Sequence, residues 1–167
     1  MSIGLVMIGA DPAAVARFAE HGYTIATVDP GDATNVDAVL ARTSVAIDAL
    51  RARPETGGVV AAAGFDIGGP FAFLAATRLG VAAAVTLWAV GFGAFLGDGS
   101  RVRVPLSLHF RDDDARVPLT EIRAIKGVLE GFGTTEIYRY ATYDDAARDA
   151  AERRARAVLD ALRPSLG

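Results

Sequence analysis

Short apolar runs alternate with amphipathic stretches along the whole chain, the pattern of strands and helices in turn. Apolar runs at residues 3–8, 23–28, 59–63, 81–88 and 105–110, with the segment 136–140, predict six strands. Asp11-Pro12 reads as a helix N-cap followed by the first helical position, and Val15, Phe18 and Ala19 share one face until Gly22. Val36, Val39, Leu40, Ile47 and Leu50 recur at helical spacing over residues 35–53. Residues 70–79 and 120–132 predict two more helices, and an Ala- and Arg-rich helix over about 144–162 closes the chain. Residues 89–104 are irregular and glycine-rich. Strands alternating with helices predict a mainly parallel sheet covered on both faces, a three-layer α/β/α sandwich of the α/β class. Ligands in such sheets bind beyond the carboxyl ends of the strands. The loops at 9–12, 29–34, 64–70, 89–100, 111–118 and 141–144 are therefore where a site is expected.

Composition narrows the function classes. The 167 residues fit a single domain over 1–167, and 51% hydrophobic with 22% charged residues is a folded composition. A net charge of −3 with no basic stripe gives neither a nucleic-acid nor an anionic-membrane footprint. With no cysteine there is no disulfide, thiolate metal site or cysteine nucleophile, a composition that suits a reducing cytoplasm. Mean hydropathy is +0.30, much of it alanine. No apolar run approaches the roughly 20 residues of a membrane span. The start, Met1-Ser2-Ile3-Gly4, has no basic segment of the kind that opens a signal peptide.

The most informative stretch is Val59 to Gly69, where a strand runs into Gly64-Phe65-Asp66-Ile67-Gly68-Gly69 and then a helix. Small residues two places either side of a central one let the chain turn sharply. The central side chain then projects at a helix N-terminus, as in a nucleophile elbow. Here that residue is Asp66. Three readings stay open for it: a cap on the following helix, a ligand-binding group, or a nucleophile.

Gly64 to Gly69, followed by Phe71-Ala72-Phe73-Leu74-Ala75-Ala76, resembles the elbow of dienelactone hydrolases, which carry cysteine at the Asp66 position. Ala19-Glu20-His21-Gly22-Tyr23 and the strand ending at Asp29-Pro30 are similar to the family's first helix and next strand. Val104 to Phe110, with Asp114 and Val117-Pro118, resembles the strand and loop that carry the triad acid. Ile137 to Tyr140 resembles the strand before the catalytic histidine. The resemblance implies a minimal α/β-hydrolase fold with Asp66 at the nucleophile position and Asp114 at the acid position. It also implies losses. Only Ala141-Thr142-Tyr143 stands where the histidine loop belongs, Ala10 replaces a glutamate after the first strand, and the family's leading strands are missing.

His21 is read as a solvated helix-end residue and His109 as a buried core histidine. Phe65, Trp88, Phe92, Phe95 and Tyr143 lie near strand ends. With Ala10 and Ile67 they are the candidates to line a small-molecule pocket, Phe65 and Trp88 serving equally as core. Arg111-Asp112-Asp113-Asp114 is read as a solvated turn rather than a metal site, and the arginines of the last helix as a solvated face. No cofactor or metal is expected. A phospho-receiver reading lacks its acidic pair and its lysine, and dinucleotide binding lacks the glycine spacing. The expectation is a dienelactone hydrolase-like chain, catalytically impaired or inactive, that keeps a small-molecule pocket or an interface. The alternative is an active ester, lactone or haloacid hydrolase using Asp66. An unpaired sheet edge predicts a homo-oligomer.

Overall fold

The computed structural model describes residues 1–164, so residues 165–167 of the expected single domain lie outside it. Six strands form one sheet: β1 (Gly4–Ile8), β2 (Thr24–Val28), β3 (Val60–Phe65), β4 (Ala84–Leu87), β5 (Leu106–Arg111) and β6 (Thr135–Tyr140). Five helices alternate with them: α1 (Pro12–Ala19), α2 (Val36–Arg51), α3 (Gly69–Arg78), α4 (Leu119–Leu129) and α5 (Asp145–Asp160). The strand order is β2-β1-β3-β4-β5-β6, and every pairing is parallel.

Strand alternation sorts the core into two layers. Val6 and Ile8 of β1 face α2, α3 and α4, whose Val39, Ile47, Phe71, Phe73, Ile122 and Ile125 are buried there. Leu5 and Met7 face α1 and α5, which contribute Ala14, Phe18, Ala151, Ala155 and Leu159. Both faces of the central strands are covered, which is why they read as continuous apolar runs. Asp11 accepts a hydrogen bond from the Ala14 N–H at 2.7 Å and Pro12 opens α1, as the local sequence requires. No helix among the described residues is long and apolar enough to cross a membrane.

Two local expectations change. The apolar run at 81–88 is a strand only over Ala84–Leu87, its carboxyl end set by Trp88, which turns out of it with φ +64°. The irregular 89–104 segment winds through 3₁₀ turns over Phe92–Arg101, and Asp98 ties it to Arg78 of α3 at 2.6 Å.

The register aligns the carboxyl ends of the strands, pairing Ile8 with Val28 and Gly64, Phe65 with Leu87, and Arg111 with Tyr140. The loops leaving these ends gather on one rim. The strand order reverses between β1 and β3, so the turn after β3 stands at the topological switch point, where ligands bind in such sheets.

Candidate functional site

β3 ends in a tight turn. Asp66 has φ +50°, a left-handed conformation that costs a non-glycine residue about 1–2 kcal/mol. The glycines make the turn possible by close approach. A Cβ at Gly68 would meet the Ile8 carbonyl, and one at Gly69 would meet the Cβ of Ala89. Gly64 likewise packs against Gly68, Gly69 and Ala72. The elbow therefore presents Asp66 and Ile67 above the sheet while α3 sits directly on it.

Asp66 does not cap α3: among the described residues no backbone N–H donates to its side chain, and α3 has no side-chain cap. Its Oδ1 instead accepts from Nη2 of Arg116 at 2.9 Å. The same guanidinium donates to Asp114 through Nε at 3.0 Å and Nη2 at 2.8 Å. Asp114 is nearly buried, its side chain 8% exposed, whereas Arg116 and Asp66 are half-exposed. Hydrogen bonds from Arg116 hold the Asp114 carboxyl below the usual carboxylate range, and the two carboxylates hold Arg116 above the usual guanidinium value. The two residues expected at the nucleophile and acid positions are thus joined by an arginine.

Neither histidine reaches this arrangement. His21 is exposed at the end of α1. His109 is fully buried in β5, its Nε2 2.9 Å from Ser107 Oγ and its Nδ1 3.0 Å from Tyr140 Oη. Burial, with a smaller contribution from Arg154, pushes it down to about 3, so its ring is neutral. The expected histidine loop is the short link between Tyr140 and the N-cap Asp144. Tyr143 fills it, 5.2 Å from Trp88 and with the Arg111 guanidinium 5.1 Å over its ring.

Two hollows flank Asp66. One, of about 210 Å³, is lined by Phe65, Trp88, Tyr143, Asp11 and the Arg17–Glu152 pair. The other, of about 460 Å³, is an open recess lined by Ala10, Ile67, Phe65, Thr27, Asp29 and Pro30. Seven expected residues therefore meet here: Asp66, Ala10, Phe65, Ile67, Trp88 and Tyr143 at the hollows, and Asp114 through Arg116. Phe92 and Phe95 do not. Phe92 is fully buried between Phe73 and Phe110, and Phe95 packs on Phe71, because the 3₁₀ segment folds back over α3.

Arg116 and Arg111 carry no site signal of their own in the sequence, whereas Trp88 is one of the aromatic candidates and does line the smaller hollow. For Arg116 the available signal was its place two residues past the acid position in a charged loop. Each carboxylate of that loop takes its own arginine: Asp112 with Arg139, Asp113 with Arg111, Asp114 with Arg116. Two arginines of α5 also make specific contacts, Arg154 while still exposed. Arg148 lines the smaller hollow, and Arg154 lies over Tyr138 at 4.5 Å and donates to Tyr140 Oη at 3.1 Å.

A parallel sheet whose third strand turns through a left-handed residue between close-packed glycines into a helix defines the α/β-hydrolase class. Within it, the sequence model of the dienelactone hydrolase family matches residues 14–162, and the chain belongs to that family. Solved structures of the same fold include a dienelactone hydrolase-like promiscuous phosphotriesterase from metagenomic libraries. It is 20% identical with a TM-score of 0.76, over 96% of this chain and 86% of that one. An esterase of Pyrococcus furiosus is 13% identical with a TM-score of 0.80, over 96% and 82%. Esterase 2 of Thermogutta terrifontis, phosphoramylated by tabun, is 16% identical with a TM-score of 0.73, over 97% and 84%. At these identities the likeness is one of fold. No curated protein sequence matches the chain.

Proposed function

We propose that this chain is a family member with a degenerate triad, one that no longer turns over esters and keeps the hollow beside Asp66 for holding a small molecule. One observation carries the reading: Arg116 bridges Asp66 and Asp114, the place a triad gives to its base. A guanidinium does not release its proton at neutral pH, so it activates neither a nucleophile nor a water. Asp66 attacking an alkyl carbon would form an ester that then needs such a base for hydrolysis. His109 is enclosed and engaged at both ring nitrogens, so it does not take that part.

Purified protein and Asp66→Ala, offered small esters, lactones and haloacids, are expected to show no turnover above buffer and no adduct by intact mass. Multiple turnovers that vanish in Asp66→Ala would overturn the reading in favour of an aspartate-nucleophile hydrolase. One Asp66-dependent adduct without turnover would place the loss at the hydrolysis step.

A second reading, of assembly, is favoured by the contrast between the two sheet edges. β6 carries Glu136 and Arg139, charges of the kind that guard an edge, whereas β2 reads Thr-Ile-Ala-Thr-Val without one. Beside β2, Val45 of α2 is 70% exposed at an apolar hollow shared with Val28, Ala46 and Ala49. Antiparallel pairing of β2 with β2 of a second copy about Ala26 opposes only uncharged side chains. Light scattering is expected to report a dimer that Thr27→Lys converts to monomer. A wild-type monomer across the accessible concentration range counts against it.

A further inference from the structure

The hollow between Asp66 and α5 has an electrostatic balance that its lining alone does not suggest. Arginines 17, 111 and 148 all reach it, which at first sight favours an anion. Each guanidinium is already engaged. Arg17 donates to both oxygens of Glu152 at 3.0–3.1 Å through Nε and at 2.7 Å through Nη2. Arg111 is held by Asp113 at 2.9 Å, and Arg148 by Asp145 and Asp149 at 3.0 and 3.1 Å. Arg116, outside the hollow, is shared between Asp66 and Asp114. The lining itself holds three carboxylates, Asp11, Asp66 and Glu152, against the three guanidiniums of Arg17, Arg111 and Arg148, and Arg111 and Arg148 are neutralised by acids outside it.

Among the carboxylates that line the hollow, the uncommitted oxygens belong to two aspartates, since Arg17 takes both oxygens of Glu152. Asp66 uses Oδ1 for Arg116, and among the described residues its Oδ2 takes no hydrogen bond. Asp11 uses Oδ1 to cap α1. Both line the hollow. The remaining wall is aromatic: Phe65, Trp88 and Tyr143, with Trp88 and Tyr143 edge-to-face at 84°. Aromatic faces attract cations, and Tyr143 already holds one, the guanidinium of Arg111. Trp88 keeps a left-handed backbone at this wall, and strain of that kind persists where the surroundings impose it, commonly at ligand sites. At about 210 Å³ the space falls below the roughly 300–1,000 Å³ of drug-sized pockets, so it suits a small ligand.

We propose that this hollow binds a small organic ammonium ion, its charged head against Asp66 and Asp11 and its apolar body against Trp88 and Tyr143. The inference rests on the non-catalytic reading above and names the ligand class of the same site. In it, the carboxylate at the elbow is an anchor for charge.

Trp88 is the only tryptophan, so intrinsic fluorescence reports the hollow directly. Benzylammonium, benzyl alcohol and benzoate share a ring and differ in charge, and they are the probes. Benzylammonium is expected to give a saturable change that weakens with salt. Benzyl alcohol should bind about tenfold more weakly, and benzoate not detectably. Asp66→Asn and Asp11→Asn should each weaken benzylammonium about tenfold. Asparagine still caps a helix, so the second variant keeps α1 intact. Preference for benzoate, equal binding of all three probes, no saturable change with benzylammonium, or unchanged affinity in both variants overturns the proposal. Turnover in the ester assay with benzylammonium still bound would remove only the inactivity reading. Silence in both assays would remove only the ammonium site.

Discussion

Lowering the pH from 7 to 4 is expected to cost the protein on the order of 3 kcal/mol of stability through His109 alone. The sign follows from the folded state holding the ring neutral. His109 is fully buried among Ser107, Tyr138 and Tyr140, and burial depresses it from 6.5 to about 3. Between those values the unfolded chain binds a proton that the folded chain refuses. The stabilisation is complete above the unfolded value of about 6.5 and is lost progressively as pH falls toward 3. The depressed carboxyls of Asp98 and Asp114 also lose their contributions on acidification, but only below their ordinary value of 3.8. The interval from 6.5 to 4 therefore isolates the histidine. Urea midpoints measured across it should fall steeply for the wild type and much less for His109→Gln, which keeps hydrogen-bonding groups without a titrating ring. Equal slopes for the two proteins would assign the acid sensitivity elsewhere.

Arg17→Met is expected to destabilise the fold by about 3 kcal/mol or more, the cost of stranding a buried charge. Glu152 lies on the inner face of α5 with its side chain 4% exposed, and Arg17 of α1 meets it with two donors. Hydrogen bonds donated to Glu152 are the main reason Arg17 sits above its usual value. Arg17→Met keeps the apolar stem over the core and leaves the carboxylate uncompensated. Replacing both residues by methionine should recover most of the loss, since a well-packed apolar pair substitutes for a buried ion pair at little cost. Denaturant unfolding of the wild type, both single variants and the double variant measures the coupling. A single variant within about 0.5 kcal/mol of the wild type would mean that water reaches Glu152.

These two groups differ in how far the sequence announces them. His109 sits in an apolar run with Leu106, Leu108 and Phe110, and its burial follows from that setting. Glu152 sits among Ala and Arg on a helix that reads as solvated. Only the packing of α1 against α5 brings Arg17 across 135 residues of chain to meet it. Ion pairs between distant segments leave no local pattern. The Asp66–Arg116 contact, 50 residues apart, escaped for the same reason.

The aromatic candidates divide along the same line. Tyr143 is confined by a short link between β6 and α5, so its place at the rim follows from loop length. Phe92 and Phe95 occupy a glycine-rich segment whose path is chosen by tertiary contacts, and that path buries Phe92 beneath Phe73 and Phe110.

By itself, the sequence determined the order of elements, the parallel sheet with its two covered faces, and the elbow at Asp66. Each is a matter of local periodicity or of glycines placed where a Cβ has no room. Tertiary structure alone decided which charges meet: Arg116 between Asp66 and Asp114, Arg17 against Glu152, and Arg148 of α5 at the smaller hollow. Coulombic and hydrogen-bond partners are set by distance in space, and a parallel sheet brings to one rim loops that lie far apart along the chain.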